Sequence, residues 1–196
     1  MAKVTTPLQS YSARGQIGKS MVHFVWKGIH CIRSYVIPTN PNTAKQQTIR
    51  EYFRDSVAKW HTDQQVTVMN EAWKRWIERI RKPWTPLNCF CSLRVAALAV
   101  GHTFARIYDY VLGTVTASSI KFTIVAASTD ALKCYFGTSL TYTPREQAGT
   151  WNSVEALWDF TLAGLTPNTN YYYWIKATKT NDDGQTGMFK TKTAGG

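Results

Sequence analysis

Residues 165–177 read Leu165-Thr-Pro-Asn-Thr-Asn-Tyr171-Tyr-Tyr-Trp-Ile-Lys-Ala177. Past the polar stretch at 166–170, Tyr171, Tyr173 and Ile175 alternate with Tyr172 and Trp174. A period of two belongs to a strand, whose side chains point to opposite faces in turn. One face is expected in a core. The other then presents Tyr172 and Trp174, large aromatics that suit contact with a neighbouring protein or a glycan. Downstream, Asp182-Asp183-Gly184 marks a turn before a last strand at 188–193. Upstream, from Gly113, strand patterns recur at 119–125, 132–140 and 155–162. Short strands with frequent turn signals predict an antiparallel sandwich.

The spacing Leu165-x-Pro167-x-Thr169-x-Tyr171 resembles the fibronectin type III signature. The aromatic strand, Ala177 and the Gly-containing hairpin at 181–184 extend the resemblance over residues 155–193. It implies that Tyr171 is the corner tyrosine, its ring in the core and its hydroxyl bonded to the preceding loop, which Pro167 and Thr169 shape.

The N-terminal half has a different character. The chain of 196 residues carries 23 Lys+Arg and 12 Asp+Glu, a formal charge of +11. Residues 1–112 hold 16 basic and 6 acidic residues, a balance of +10; residues 113–196 hold 7 and 6, a balance of +1. Such asymmetry predicts two modules, the basic one meeting an acidic surface or nucleic acid. Residues 1–15 lack periodicity and read as an extended arm that can lie on a neighbour in an assembly. Met21-Val-His-Phe-Val-Trp26 and Ile29-His-Cys-Ile-Arg-Ser-Tyr-Val-Ile37 flank Lys27-Gly28, a hairpin signal that Pro38 and Pro41 terminate.

Helical spacing follows. Thr43-x-x-Gln46 fits a capping box, and Ile49, Phe53, Val57 and Trp60 form the apolar stripe of a helix at 43–60. Thr62-x-x-Gln65 fits a second box, ahead of Val66, Met69, Trp73, Trp76, Ile77 and Ile80 in a helix ending before Pro83. The short join predicts an αα-hairpin. Arg50, Arg54, Lys59, Lys74, Arg75, Arg79, Arg81 and Lys82 surround this hairpin as a charged face for assembly. A third helix at 88–100 is rich in Ala, Leu and Cys, so it is expected to be buried in its own domain or against another subunit.

The run Gly15-x-Ile17-Gly18, Gly28, Arg33-Ser34, Asn40-Pro41-Asn42-Thr43-x-x-Gln46, Arg50, Phe53, Trp60 and Ala72-Trp73 resembles an uncharacterised domain of phage and prophage structural proteins. That family has no activity to carry over. Locally, Pro41 stops the strand and Asn42 or Thr43 caps the helix, so this motif is also explained as architecture.

No catalytic signature stands out. Gly15-Gln-Ile-Gly-Lys-Ser20 lacks the Gly-x-x-x-x-Gly-Lys-Ser/Thr spacing and precedes a strand instead of opening a helix. Cys31, Cys89, Cys91 and Cys134 contain no Cys-x-x-Cys pair and read as buried reduced thiols, and His23, His30, His61 and His102 are scattered. Trp60, Trp73, Trp76 and Trp84 interleave with basic residues as in a single-strand nucleic-acid platform, but their spacing places them on the apolar stripe.

The expected architecture is α+β: an arm at 1–15, a basic hairpin-plus-helices assembly module at 16–112, and a fibronectin type III-like sandwich at 113–196. The expected function is a non-enzymatic structural subunit of a virion (capsid, tail-associated or decoration) or of an extracellular filament. The module self-assembles and the sandwich projects outward. Partners are further copies, other virion or filament subunits and an acidic surface or packaged nucleic acid; no cofactor, metal or membrane span is expected. The N-terminus has no apolar core of a signal peptide, consistent with synthesis in a host cytoplasm and release by lysis. The alternative is a nucleic-acid-binding protein using the helices at 43–82.

Overall fold

The computed structural model describes residues 2–3, 14–37, 39–40, 42–127 and 131–195. Pro38, Pro41 and most of the expected arm lie outside the described residues. The contacts divide the chain into two compact units, residues 1–42 and 43–196. The helices therefore share a unit with the sandwich, where the charge count had placed a boundary at 112/113. The strand that opens the sandwich starts before that boundary.

The first unit is a four-stranded antiparallel sheet in the order β1-β4-β3-β2, with β1 Ala2–Lys3, β2 Gly15–Ile17, β3 Met21–Trp26 and β4 Ile29–Ser34. β3 and β4 form the expected hairpin, in register from Met21↔Ser34 to Trp26↔Ile29. Lys27 (φ 48°) and Gly28 (φ 79°) are both left-handed, the geometry of a type I′ turn whose twist matches the strands. Ala2–Lys3, part of the expected arm, pairs with the chain's own β4.

In the second unit three helices precede the sandwich. α1 is Ala44–Lys59, α2 Thr67–Ile80 and α3 Pro86–Ala99. The first capping box is present: Gln46 N donates to Thr43 Oγ1 at 3.4 Å and Thr43 N to Gln46 Oε1 at 3.3 Å. The second is not. The chain runs from α1 into a π-helical turn, Trp60–Gln64, and Thr62 Oγ1 donates backwards to the Ala58 and Lys59 carbonyls. The wider turn carries Asp63 and Gln64 inward, and α2 starts at Thr67 after Val66, without a side-chain cap. The pairing also differs from a simple αα-hairpin, because α1 packs chiefly on α3.

The sandwich has two four-stranded antiparallel sheets. One is ordered β5-β6-β10-β9: Tyr108–Val115, Ser119–Val125, Leu157–Ala163 and Thr150–Asn152. The other is ordered β12-β11-β7-β8: Phe189–Lys192, Asn170–Ala177, Leu132–Gly137 and Arg145–Ala148. With the eight strands lettered A, B, C, C′, D, E, F and G in chain order, these are the ABED and GFCC′ sheets of an immunoglobulin-type Greek key. Phe122 on β6 stacks on Tyr173 (5.0 Å) and Phe160 (5.1 Å) at the centre of the core. The corner is in place: Tyr171 is buried, and its hydroxyl accepts a hydrogen bond from Thr166 N at 2.9 Å. Leu165 is buried beside it, and Thr169 Oγ1 donates to the Pro167 carbonyl at 2.9 Å.

The helices form a third layer over β11. Trp60, Trp73, Trp76, Cys89, Phe90 and Cys91 make a core with Met188, against which Tyr172 and Trp174 pack. Met188 N donates to the Ala72 carbonyl of α2 at 2.8 Å. Gly187 permits this approach, since a Cβ there would overlap the Ala72–Trp73 peptide.

Candidate functional site

β11 alternates as expected, with Tyr171, Tyr173, Ile175 and Ala177 buried between the sheets. Its outer aromatics are not presented to a neighbour or a glycan. Tyr172 and Trp174 are half-buried under the chain's own helices, with Trp174 4.9 Å from Trp76. Trp174 also stacks on Tyr135 and donates from Nε1 to Thr143 Oγ1 at 3.3 Å. An aromatic outer face needs cover, and α2 supplies it.

The eight basic residues stand in different settings. Arg79 lies 5.2 Å over Trp76 and 5.7 Å over Trp174, and bonds Thr143, so it acts as a strut between helix and sheet. Burial lowers its pKa from the ordinary arginine value. Lys82 sits 4.1 Å over Trp84, and Lys74 pairs with Glu71 at 2.6 Å. Arg75 is half-buried beside Tyr110 and Phe189, and Arg81 takes the left-handed position that ends α2. Arg50 and Arg54 are exposed on α1, and Lys59 stands on its last turn. Of the turn before α1, Asn40 and Asn42 are exposed, Asn42 is left-handed (φ 47°), and Thr43 and Gln46 form the cap.

Two arrangements were not evident from sequence. The first is a groove of about 740 Å³ between α1 and α3. Ile49 and Phe53, read above as core stripe, are 42% and 54% exposed along it. Val95, Ala96 and Ala99 of α3 form the opposite wall, so that helix is covered on one side only. A periodic stripe shows which side of a helix is apolar but not whether anything covers it.

The second is the anchor of the π-helical turn. Asp63, 3% exposed, accepts two hydrogen bonds from Arg106 Nε and Nη2, both at 2.6 Å. Burial pushes the Asp63 carboxyl up, but Arg106, with help from Thr62 and the Lys59 charge, more than offsets this and holds it below the usual carboxylate value. Gln64 Nε2 donates to the Ile107 carbonyl at 2.8 Å, while its Oε1 accepts Trp73 Nε1 at 3.0 Å. Asp63 and Gln64 thus tie the helices to the entry of β5. In the sequence they sat inside an apparent capping box, and Arg106 in a segment without clear periodicity.

All four cysteines are buried with free thiols, and burial raises Cys89 to about 11. Among the described residues no cluster of three metal-ligating side chains occurs, and no helix is long and apolar enough to cross a membrane.

No protein-family model matches the chain, and no curated protein matches its sequence. Solved structures with a similar fold include the FN5 domain of Drosophila Lar, at 18% identity over 48% of this chain and 99% of that domain, with a TM-score of 0.37. The fn3 domain of human contactin 1 is 12% identical over 49% of this chain and 85% of its own, with a TM-score of 0.36. A structure of PhoD is 18% identical over 44% of this chain, with a TM-score of 0.38, and this chain spans 19% of its length. The C-terminal part is fibronectin type III-like on its own strand order and its Tyr171 corner.

Proposed function

We propose that the chain is a non-enzymatic structural subunit that self-assembles through its helical face and carries the sandwich outward, as in a virion or an extracellular filament. The observation that carries this reading is the uncovered α1/α3 groove. Ile49 and Phe53 project from α1 beside a wall of small residues, Ser92, Ala96 and Ala99, so projection and recess lie on the same surface. A two-fold contact between identical copies requires such self-complementarity. Arg50 and Arg54 flank Glu51 along α1, while Asp55 is already paired with Arg94 of the same chain. Two copies laid antiparallel can therefore bring opposite charges together. The virion setting rests on the sequence resemblance of the run from Gly15 to Trp73 to phage structural proteins, and no family model matches there.

The nucleic-acid alternative draws less support. Trp60, Trp73 and Trp76 are buried and offer no stacking platform, and Arg79 and Lys82 are engaged with aromatic rings. Size-exclusion chromatography with light scattering, followed by electron microscopy, tests the proposal. Association that grows with protein concentration is expected; a strict monomer at high concentration contradicts it. Salt-sensitive binding to DNA or RNA by a monomer would favour the alternative.

A further inference from the structure

Residues 1–42, the first compact unit, hold five of the 23 Lys+Arg and none of the 12 Asp+Glu. The unit therefore has no carboxylate side chain of its own to neutralise its charge. Arg14 leads into β2, Lys19 lies in the turn between β2 and β3, Lys27 in the turn between β3 and β4, and Arg33 on β4. All four are exposed, and none forms an ion pair among the described residues. Positive charge is thus spread along the whole sheet.

The same sheet carries aromatics. Phe24 and Trp26 stand two apart on β3, so both leave one face, about 7 Å apart along the strand. Arg33 is opposite Val22 in the ladder, which puts it on that face too, and its guanidinium lies 5.6 Å over the Phe24 ring. Trp26 is 59% exposed, so most of its surface is open to a partner. Cations along an extended surface and an open aromatic among them meet the two needs of a single nucleic-acid strand: neutralised phosphates and a platform for an unstacked base. A lipid surface fits less well. Inserting the tip at Trp26 and Ile29 would leave Lys19 at the far end of β3, roughly 17 Å back along the strand. That is beyond the ~8 Å over which charge acts in physiological salt.

We propose that the first sheet binds single-stranded nucleic acid without reading its sequence, a base stacked on Trp26 and phosphates held by Lys27, Arg33 and the neighbouring cations of the sheet. The contact uses no residue of the α1/α3 groove, so it and the assembly reading fail separately. It also differs from a contact through the helices at 43–82.

Fluorescence anisotropy of a labelled oligothymidylate of about twelve nucleotides, titrated with the full chain between about 50 and 200 mM salt, tests the proposal. Saturable binding is expected, with log affinity falling by about 2–3 per decade of salt, as three or four phosphate contacts imply. Trp26→Ala should bind at least about fivefold more weakly with the salt slope unchanged. Trp26→Leu, which keeps apolar bulk on the strand but has no π-face, should do the same. Lys27→Asn retains a residue that favours the left-handed turn, and should weaken binding and lower the slope by about 0.7. Lys45→Gln, which removes an exposed charge from α1 instead, should stay within about twofold of the parent. No oligonucleotide binding at low salt would overturn the proposal, as would parent affinity in both Trp26 variants. A loss in Lys45→Gln equal to that in Lys27→Asn would move the contact to the helices. Capture of the chain by phosphatidylserine vesicles, without oligonucleotide binding, would assign the sheet to a lipid surface.

Discussion

α1 and α2 lie in the same layer and both carry aromatics at helical spacing, yet they end in opposite situations. α2 buries Met69, Ala72, Trp73 and Trp76, and is bonded to the sandwich through Ala72. α1 buries only Ser56 and leaves Phe53 54% exposed. The difference lies in what each stripe faces. α2 meets the outer aromatics of β11, which need cover as much as it does. The outer half of α1 lines a groove it shares with α3. Burial here depends on finding a partner surface, and the uncovered helix is the one available to another molecule.

The sharpest test of this contrast is a pair of aromatic truncations. Trp73→Ala should cost about 3–5 kcal/mol in urea unfolding, because it opens a cavity in the helical core and strands Gln64 Oε1. A comparable loss from Phe53→Ser would erase the distinction between the helices.

The next effect concerns how α2 reaches the sandwich. Asp63→Asn should cost about 1–3 kcal/mol at neutral pH by weakening the bidentate pair with Arg106. It should also change acid behaviour. In the fold the carboxyl is held below its ordinary value of 3.8. Above 3.8 both folded and unfolded chains carry it ionised, and the pair contributes in full. As pH falls below that value towards the lowered folded one, the unfolded chain is protonated first and stability drops. Thermal melts across this range should show that component in the parent protein and lack it in Asp63→Asn. Identical acid profiles would place the anchor elsewhere.

A smaller effect is expected away from the helices. Tyr171→Phe removes one hydrogen bond, to Thr166 N, and should cost about 1 kcal/mol by chemical denaturation. A neutral result would make the corner a matter of ring packing alone.

What was legible in the sequence is largely what neighbours in sequence decide. The Lys27-Gly28 turn, the Thr43–Gln46 cap and the Tyr171 corner each involve residues only a few positions apart. The π-helical turn was hidden because Thr62-x-x-Gln65 satisfies the local rule for a cap. Its displacement depends on Arg106 and Ile107, more than forty residues away in sequence. Tyr172 and Trp174 could be read as needing a partner, but nothing local showed that α2 supplies it. The exposure of Ile49 and Phe53 was hidden for the converse reason: an apolar stripe looks the same whether covered or waiting.

The smallest predicted change in stability carries the largest functional consequence. Phe53→Ser should alter unfolding free energy by no more than about 0.5 kcal/mol, as expected for an exposed site. Sedimentation of the parent chain and this variant over a concentration series is the most direct test that the uncovered helix is the assembly surface. The account predicts that the parent associates as concentration rises, while Phe53→Ser stays monomeric with an unchanged melting curve. A monomeric parent, or a variant that associates equally well, would contradict it.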